Sequence, residues 1–386
     1  MGVVASTSSS FAGDFLADSV APYSGGGSGD WAKSLKTIGT IYKNKQNPYI
    51  QEIKIKGRAH YQWGYTDGSI QDGVNNSGDF SGSTQELRRF RVGTSIKFLN
   101  GFKASVGVDF EDGSANDNSI AYGGIDSAAL SYNFGDVGAF EDLTLGYGFY
   151  KFNFGGEELK SSNKIKTIER SLLNNFFSGG RVTGARLEGT YDDVDLSFGV
   201  FNTDGDNEVF GDWNGGVVLQ LAADFDALGG NFNIQGVYRD STGDVENESV
   251  DYDWAFTTSY GTKVGPFDLF LNGTYGSNDD GDVYGVVILP SVELIKNKLE
   301  AVVRYTWTHS DSDQLSFQSR NTRNVASANG FSSFSGDDYH SIYGGLNYFI
   351  ADHNAKLLVG IEYEDLDGSD VGSTATTIWG AVRVSF

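Results

Sequence analysis

The chain has 386 residues, 52 of them Gly and only 4 Pro, and carries 51 Asp plus Glu against 28 Lys plus Arg, a formal charge of −23. That charge excludes nucleic acid as a partner, since a phosphate backbone needs a basic footprint. A content of 39 % hydrophobic and 14 % aromatic residues excludes an acidic disordered chain, and the absence of Cys removes disulfides, thiolate metal sites and Cys nucleophiles together.

No stretch reaches the roughly 18 consecutive apolar residues of a spanning helix. The start, Met1-Gly2-Val3-Val4-Ala5 followed by a Ser/Thr run, has neither the cationic opening nor the apolar centre of a signal peptide, so it reads as a mature chain. Residues 1–48 lack a clear period and read as a Ser/Gly-rich N-terminal extension with one short helix expected from Asp30 to about Tyr42.

From Gln51 the period becomes two. Ile53, Ile55, Gly57, Ala59, Tyr61, Trp63 and Tyr65 alternate with Glu52, Lys54, Lys56, Arg58, His60 and Gln62, which makes a long strand with one apolar and one polar face. Phe90, Val92, Thr94, Ile96 and Phe98 repeat the pattern. Asn100-Gly101 then turns the chain, and Phe102, Ala104, Val106, Val108 and Phe110 return it. Similar faces follow at Leu130, Leu145, Leu187, Phe198, Leu219, Ile234, Tyr252 to Tyr260, Leu271, Val286, Val303, Leu346, Val359 and Val382, for sixteen strands within residues 49–386. An even number of segments of about ten residues with aromatic ends is the sequence signature of a transmembrane antiparallel β-barrel. The connections alternate between short and long, as short periplasmic turns and long extracellular loops do. A soluble sandwich or propeller does not predict that asymmetry.

More specific are Lys151, Glu157-Glu158-Leu159-Lys160-Ser161-Ser162, Glu169-Arg170-Ser171, Gly180-Arg181 and Gly184. They resemble the third-loop segment of the phosphate-selective porin family (the O and P type), and Asn47 to Glu52 and Arg88 to Gly93 are similar to the starts of its first two strands. The resemblance implies a sixteen-stranded porin of the bacterial outer membrane, usually a homotrimer, whose third long loop, here about 153–181, folds into the pore and narrows it. A terminal Phe386 fits this family, whereas Asn153 stands where it usually has Pro. Lipid and lipopolysaccharide would be its surroundings.

Taking the polar face of each strand as the lumen, Lys54, Lys56, Arg58, Arg89, Arg91, Lys97, Lys103 and Arg383 form a basic arc. The constriction loop adds Lys160, Lys164, Lys166, Arg170 and Arg181 against Glu169. Glu188, Asp195, Asp251, Asp253, Asp268 and Glu300 face them from the opposite wall. Opposed arcs make a transverse field suited to passive diffusion of ions and small polar solutes. Tyr150, Phe201, Phe270 and Trp379 would instead offer stacking surfaces for a sugar-specific channel, a phosphate or anion channel being the other specific reading. Surface adhesion through the loops at 66–86 and 309–338 could coexist with conduction. Asp204, Asp206, Asp279, Asp280 and Asp282 are the carboxylates that could hold structural Ca²⁺, though they lack EF-hand spacing, and no other cofactor is indicated. No G-x-S-x-G, P-loop or H-E-x-x-H motif points to an enzyme.

Overall fold

The computed structural model describes residues 31–71, 77–112, 120–203, 216–240, 250–331, 335–368 and 372–386. Seventeen antiparallel strands form one sheet. The first, β1 (Thr40–Lys43), is a short addition, and the other sixteen close the barrel: β2 (Ile50–Ile70), β3 (Gly78–Phe98), β4 (Phe102–Asp112), β5 (Ile120–Asn133), β6 (Phe140–Lys151), β7 (Arg181–Tyr191), β8 (Val194–Asn202), β9 (Val217–Ala227), β10 (Gly230–Asp240), β11 (Trp254–Val264), β12 (Phe267–Asn278), β13 (Gly281–Ile295), β14 (Leu299–Ser310), β15 (Asp338–Phe349), β16 (Ala355–Asp367) and β17 (Gly372–Ser385). Each pairs with the next, and β17 pairs with β2 from Thr374↔Ser69 to Ser385↔Arg58. Closure is what hydrocarbon demands, because an open edge would leave N–H and C=O groups without partners.

The alternation is inside out relative to a water-soluble protein. Leu221, Ile342 and Val359 are 62 %, 55 % and 54 % exposed, while Arg304, Glu362 and Arg383 are 0 %, 1 % and 2 % exposed. Only lipid makes the outer face favourable. Aromatic pairs mark its borders: Phe102 with Tyr132 and Phe232 with Tyr260 on the side of the short turns, Trp254 with Tyr275 and Tyr284 with Trp307 on the side of the long loops. On β12 the belt runs from Phe267 to Tyr275, eight residues or roughly 27 Å of strand, which at a tilt of about 40° rises roughly 21 Å, most of the height of an outer-membrane band.

Three local expectations change. The N-terminal helix is only α1 (Trp31–Leu35). After Gly39, Thr40 to Lys43 extend instead, because β2 outruns β17 and its lower edge needs a partner: Thr40 pairs with Lys54, Lys43 with Glu52, and Ile55 donates to the Gly39 carbonyl at 2.8 Å. The sheet therefore takes in part of the N-terminal extension, outside the sixteen strands that close the barrel. Its seam is completed by the Phe386 ring, which lies where a Cβ on Gly57 would sit. The first short turn is centred on Leu99 and Asn100 at φ 49° and 55°, one residue earlier than the Asn-Gly pair suggests. The link between β12 and β13 closes tightly, with Asn278 opposite Gly281, rather than forming a long loop.

The candidate constriction and the aqueous passage

The third long connection, residues 152–180, turns into the barrel. At its root Phe152, Phe154 and Phe177 pack with Phe201 and Tyr252 in an apolar knot, and α2 (Leu172–Phe176) is capped by Ser171. Gly155 lies at φ 97°, with the Asn174 side-chain oxygen 2.7 Å from where a Cβ would be, so glycine is required for Asn174 to accept the N–H groups of Glu157 and Glu158, both at 3.1 Å.

Beyond the root the loop is held by cations from the wall. Arg383 Nη1 donates to the carbonyls of Ser162 and Ile165 at 3.1 and 3.4 Å, and its Nη2 donates to those of Thr167 and Ile168 at 3.2 and 2.6 Å. Lys356 donates to Ile165 O at 2.8 Å, and Asn347 to Lys166 O at 2.8 Å. Arg304 reaches Glu169 O at 2.7 Å and pairs with Glu362 at 2.7 Å. A loop lying in a lumen has no neighbouring strand to bond its carbonyls, and multidentate guanidinium groups replace one.

The loop's own carboxylates are used in the same packing. Glu157 accepts from the Ser171 N–H at 2.9 Å, Glu158 pairs with Lys151 and Arg170, and Glu169 accepts from Gln62 at 2.7 Å and Arg88 at 3.0 Å. Burial works to raise the Glu169 carboxyl, but Arg88, Arg89 and the Gln62 hydrogen bond outweigh it and hold it at about 2 against an ordinary 4.5. The folded value lies below the unfolded one, so this anchor is complete above about pH 4.5 and fades as pH falls toward 2. Channel recordings at stepped pH should stay quiet down to about 4 and become noisy only on further acidification; noise first appearing near pH 6 would assign the loop's anchoring to other groups.

The residues expected in the lumen fall into distinct groups. Arg89 and Arg383 are on the inner wall but are covered by the loop, at 9 % and 2 % exposed, so they do not border open water. Arg170 and Glu169 are buried within the loop, Lys164 is exposed, and Lys166 is paired with Asp268 and Glu300 at 3.2 and 2.7 Å. Asp251 and Asp253 precede β11 rather than lying on it, Asp253 pairing with Arg239 at 3.2 Å, and Tyr252 turns inward to the apolar knot instead of facing lipid. Asp195 accepts from Thr190 at 2.6 Å. Lys54 lies 3.5 Å from Glu52, and Lys97 and Lys103 are directly opposite each other near the short-turn end, on the same side of the barrel as Lys56.

Open space remains beside the clamp, where Arg58 donates to Ser162 Oγ at 2.8 Å. A cavity of about 130 Å³ is bordered by Arg58, Arg91, Lys103, Lys151, Arg181 and Arg186, six cations, against the carboxylates of Asp126 and Glu188. Small residues, Ser105, Ser127, Ala129, Ser131 and Gly146, give it room. Asp126 binds both Arg91, at 2.9 Å, and Arg181, and Arg186 lies 5.0 Å from the Tyr150 ring. Below the loop a wider space of about 530 Å³ includes Lys160, Lys166, Lys263 and Asp268, with Lys160 Nζ 4.4 Å from the Phe270 ring centre.

Several participants escape alternation alone. Lys356 and Gln62 are legible as polar-face residues, but nothing local distinguishes them as loop anchors. Asp126 follows Gly123-Gly124, where shifts in the β4–β5 register break the count. Of the proposed sugar-stacking aromatics, Phe201, Trp379 and Phe270 are buried, at 0 %, 3 % and 8 % exposed. Asp204 and Asp206 lie outside the described residues. Asp282 accepts from the Tyr275 hydroxyl, and among the described residues no three His, Asp or Glu side chains converge as metal ligands around it, Asp279 or Asp280.

A closed sixteen-stranded barrel with a lipid-facing exterior, a charged lumen and an infolded third loop defines the class: this is an outer-membrane porin, a channel for passive diffusion. Residues 53–216, which hold the first half of the barrel and the constriction loop, match the family described as phosphate-selective porin O and P. The fold is shared with OmpT of Vibrio cholerae (TM-score 0.54, 10 % identity, 87 % of this chain and 97 % of that one). It is shared also with the channel DcaP of Acinetobacter baumannii (0.52, 15 %, 90 % and 100 %) and with an anion-selective porin from Comamonas acidovorans (0.53, 12 %, 86 % and 99 %). At such identities the likeness establishes architecture. No curated protein sequence matches the chain.

Proposed function

We propose that the channel favours anions, as a homotrimer set among outer-membrane lipid and lipopolysaccharide. The observation that carries the reading is the border of the cavity beside the third loop, where six cations, Lys151 paired with Glu158 and Arg91 with Asp109 among them, meet the two lining carboxylates of Asp126 and Glu188. The chain's −23 does not oppose it: charges more than about 8–10 Å away are screened at physiological salt, so the permeant ion responds to the nearby wall. The loop's carboxylates, already hydrogen-bonded or ion-paired, add little negative field to the open side. The Comamonas neighbour is described as anion-selective and an OmpT structure as a trimer, which accords with both parts of the proposal.

Reversal potential under a salt gradient tests it. Wild type should favour chloride over potassium. Arg58→Gln, Arg91→Gln and Arg186→Gln together should lower that preference by about tenfold, at roughly 0.5 kcal/mol for each charge acting across several ångströms of water. Cation preference in the wild type, or an unmoved potential in the triple variant, would refute the assignment. Cross-linking in outer-membrane vesicles should give a species of three chains.

A further inference from the structure

The long connection between β14 and β15 is the segment most expected to project as surface. Its described residues, 311–331 and 335–337, turn back into the barrel instead. An antiparallel bridge between Leu315 and Gly336, bonded at 2.9 Å in both directions, closes the base of the segment. Ser319 then caps α3 (Arg320–Ala328), which packs inside the wall against β2, β3 and β17. Leu315, Phe317, Val325 and Ala326 join a core with Ile70, Phe80 and Leu366, so water is excluded from this sector of the upper lumen.

The wall is shaped and charged to receive the helix. Glu364 Oε1 accepts from the Ser319 N–H at 2.9 Å and the Tyr339 hydroxyl at 3.0 Å, and its Oε2 accepts from Thr322 at 2.8 Å. Asn321 donates to Thr66 at 2.6 Å, and Thr322 lies 3.1 Å from Thr377. Two glycines in strand interiors, which weaken strands unless something approaches closely, are explained by α3: a Cβ on Gly64 would come within 2.8 Å of Asn321, and one on Gly82 within 3.1 Å of Val325. Asn324 and Ser327, by contrast, are exposed on the helix's other face.

We infer that residues 311–331 form a second constriction at the extracellular mouth, which limits the size of entering solutes while the third loop beneath governs charge. The inference rests on the channel reading and goes beyond it by dividing size from charge between two loops. It also removes α3 from the candidates for surface adhesion, since Leu315, Phe317, Val325 and Ala326 are spent inside the barrel.

The chain has no Cys, so Asn324→Cys provides a single addressable thiol on the open face of α3. Neutral thiol reagents of increasing bulk, added on the extracellular side of a planar bilayer, should lower unitary conductance in steps. Replacing residues 313–335 by a short Gly-Ser linker should raise conductance by about twofold and admit larger polyethylene glycols from the extracellular side, with the reversal potential unchanged. If bulk at residue 324 leaves the current of a conducting channel untouched, the inference fails, whether or not the deletion variant folds. A deletion that changes reversal potential but neither conductance nor polymer cutoff would also overturn it. An unlabelled protein that never conducts would instead refute the channel reading beneath it.

Discussion

Arg383→Ala should convert a steady channel into a flickering one. The single guanidinium serves four main-chain carbonyls, those of Ser162, Ile165, Thr167 and Ile168, from a side chain 2 % exposed. Removing one partner of a buried hydrogen bond costs about 1–3 kcal/mol for each group left unsatisfied, so water must enter or the loop must leave the wall. Lys356, Asn347 and Arg304 still hold the carbonyls of Ile165, Lys166 and Glu169, so the expected loosening centres on those of Ser162, Thr167 and Ile168. Current noise should rise, and added protease should cleave the loop in detergent-solubilised variant but not in wild type. Arg383→Lys should recover little, because an ammonium lacks the planar fork that reaches carbonyls on both sides. Wild-type noise together with wild-type protease resistance would show that the clamp is redundant.

Two adjacent residues of β14 should fail in opposite ways. Val303 is 49 % exposed near the middle of the strand and Arg304 is fully buried. In a water-soluble protein Val303→Arg would be nearly neutral; on a lipid face near the bilayer midplane it should cost about 2–4 kcal/mol. Arg304→Val strands Glu362, 1 % exposed and 2.7 Å from its present partner, and takes a donor from the Glu169 carbonyl. Breaking one side of such a pair costs about 3–5 kcal/mol. Denaturant titration of refolding into vesicles measures both. A harmless Val303→Arg would contradict the lipid-facing exterior, and a harmless Arg304→Val would contradict the buried pair. Arg304→Val combined with Glu362→Leu should regain much of the loss, since an apolar replacement of both partners removes the uncompensated charge.

These variants also mark where sequence reasoning reaches its limit. Alternation puts Arg383 on the polar face, and the same period in β14 and β16 puts Arg304 and Glu362 there, because a period of two is a property of each strand by itself. It cannot tell which inner residues meet water. That depends on where residues 152–180 and 311–331 lie, and the contacts fixing them join positions far apart in the chain: Arg383 to Ile168 at a separation of 215 residues, Asn321 to Thr66 at 255. The same limit explains β1. Thr40 to Lys43 form a strand because β2 outlasts β17, a mismatch of lengths visible only after closure.

The sequence by itself determined the barrel, its sixteen spanning strands and the polarity of its two faces, all consequences of local period and of a solvent that tolerates no unpaired backbone. Only the tertiary structure decided which lumen charges are buried beneath loops and which border open space. An arginine beneath a loop and one beside open water are identical in sequence; what separates them is the long-range packing that leaves the first desolvated among carbonyls and the second hydrated and able to attract an ion.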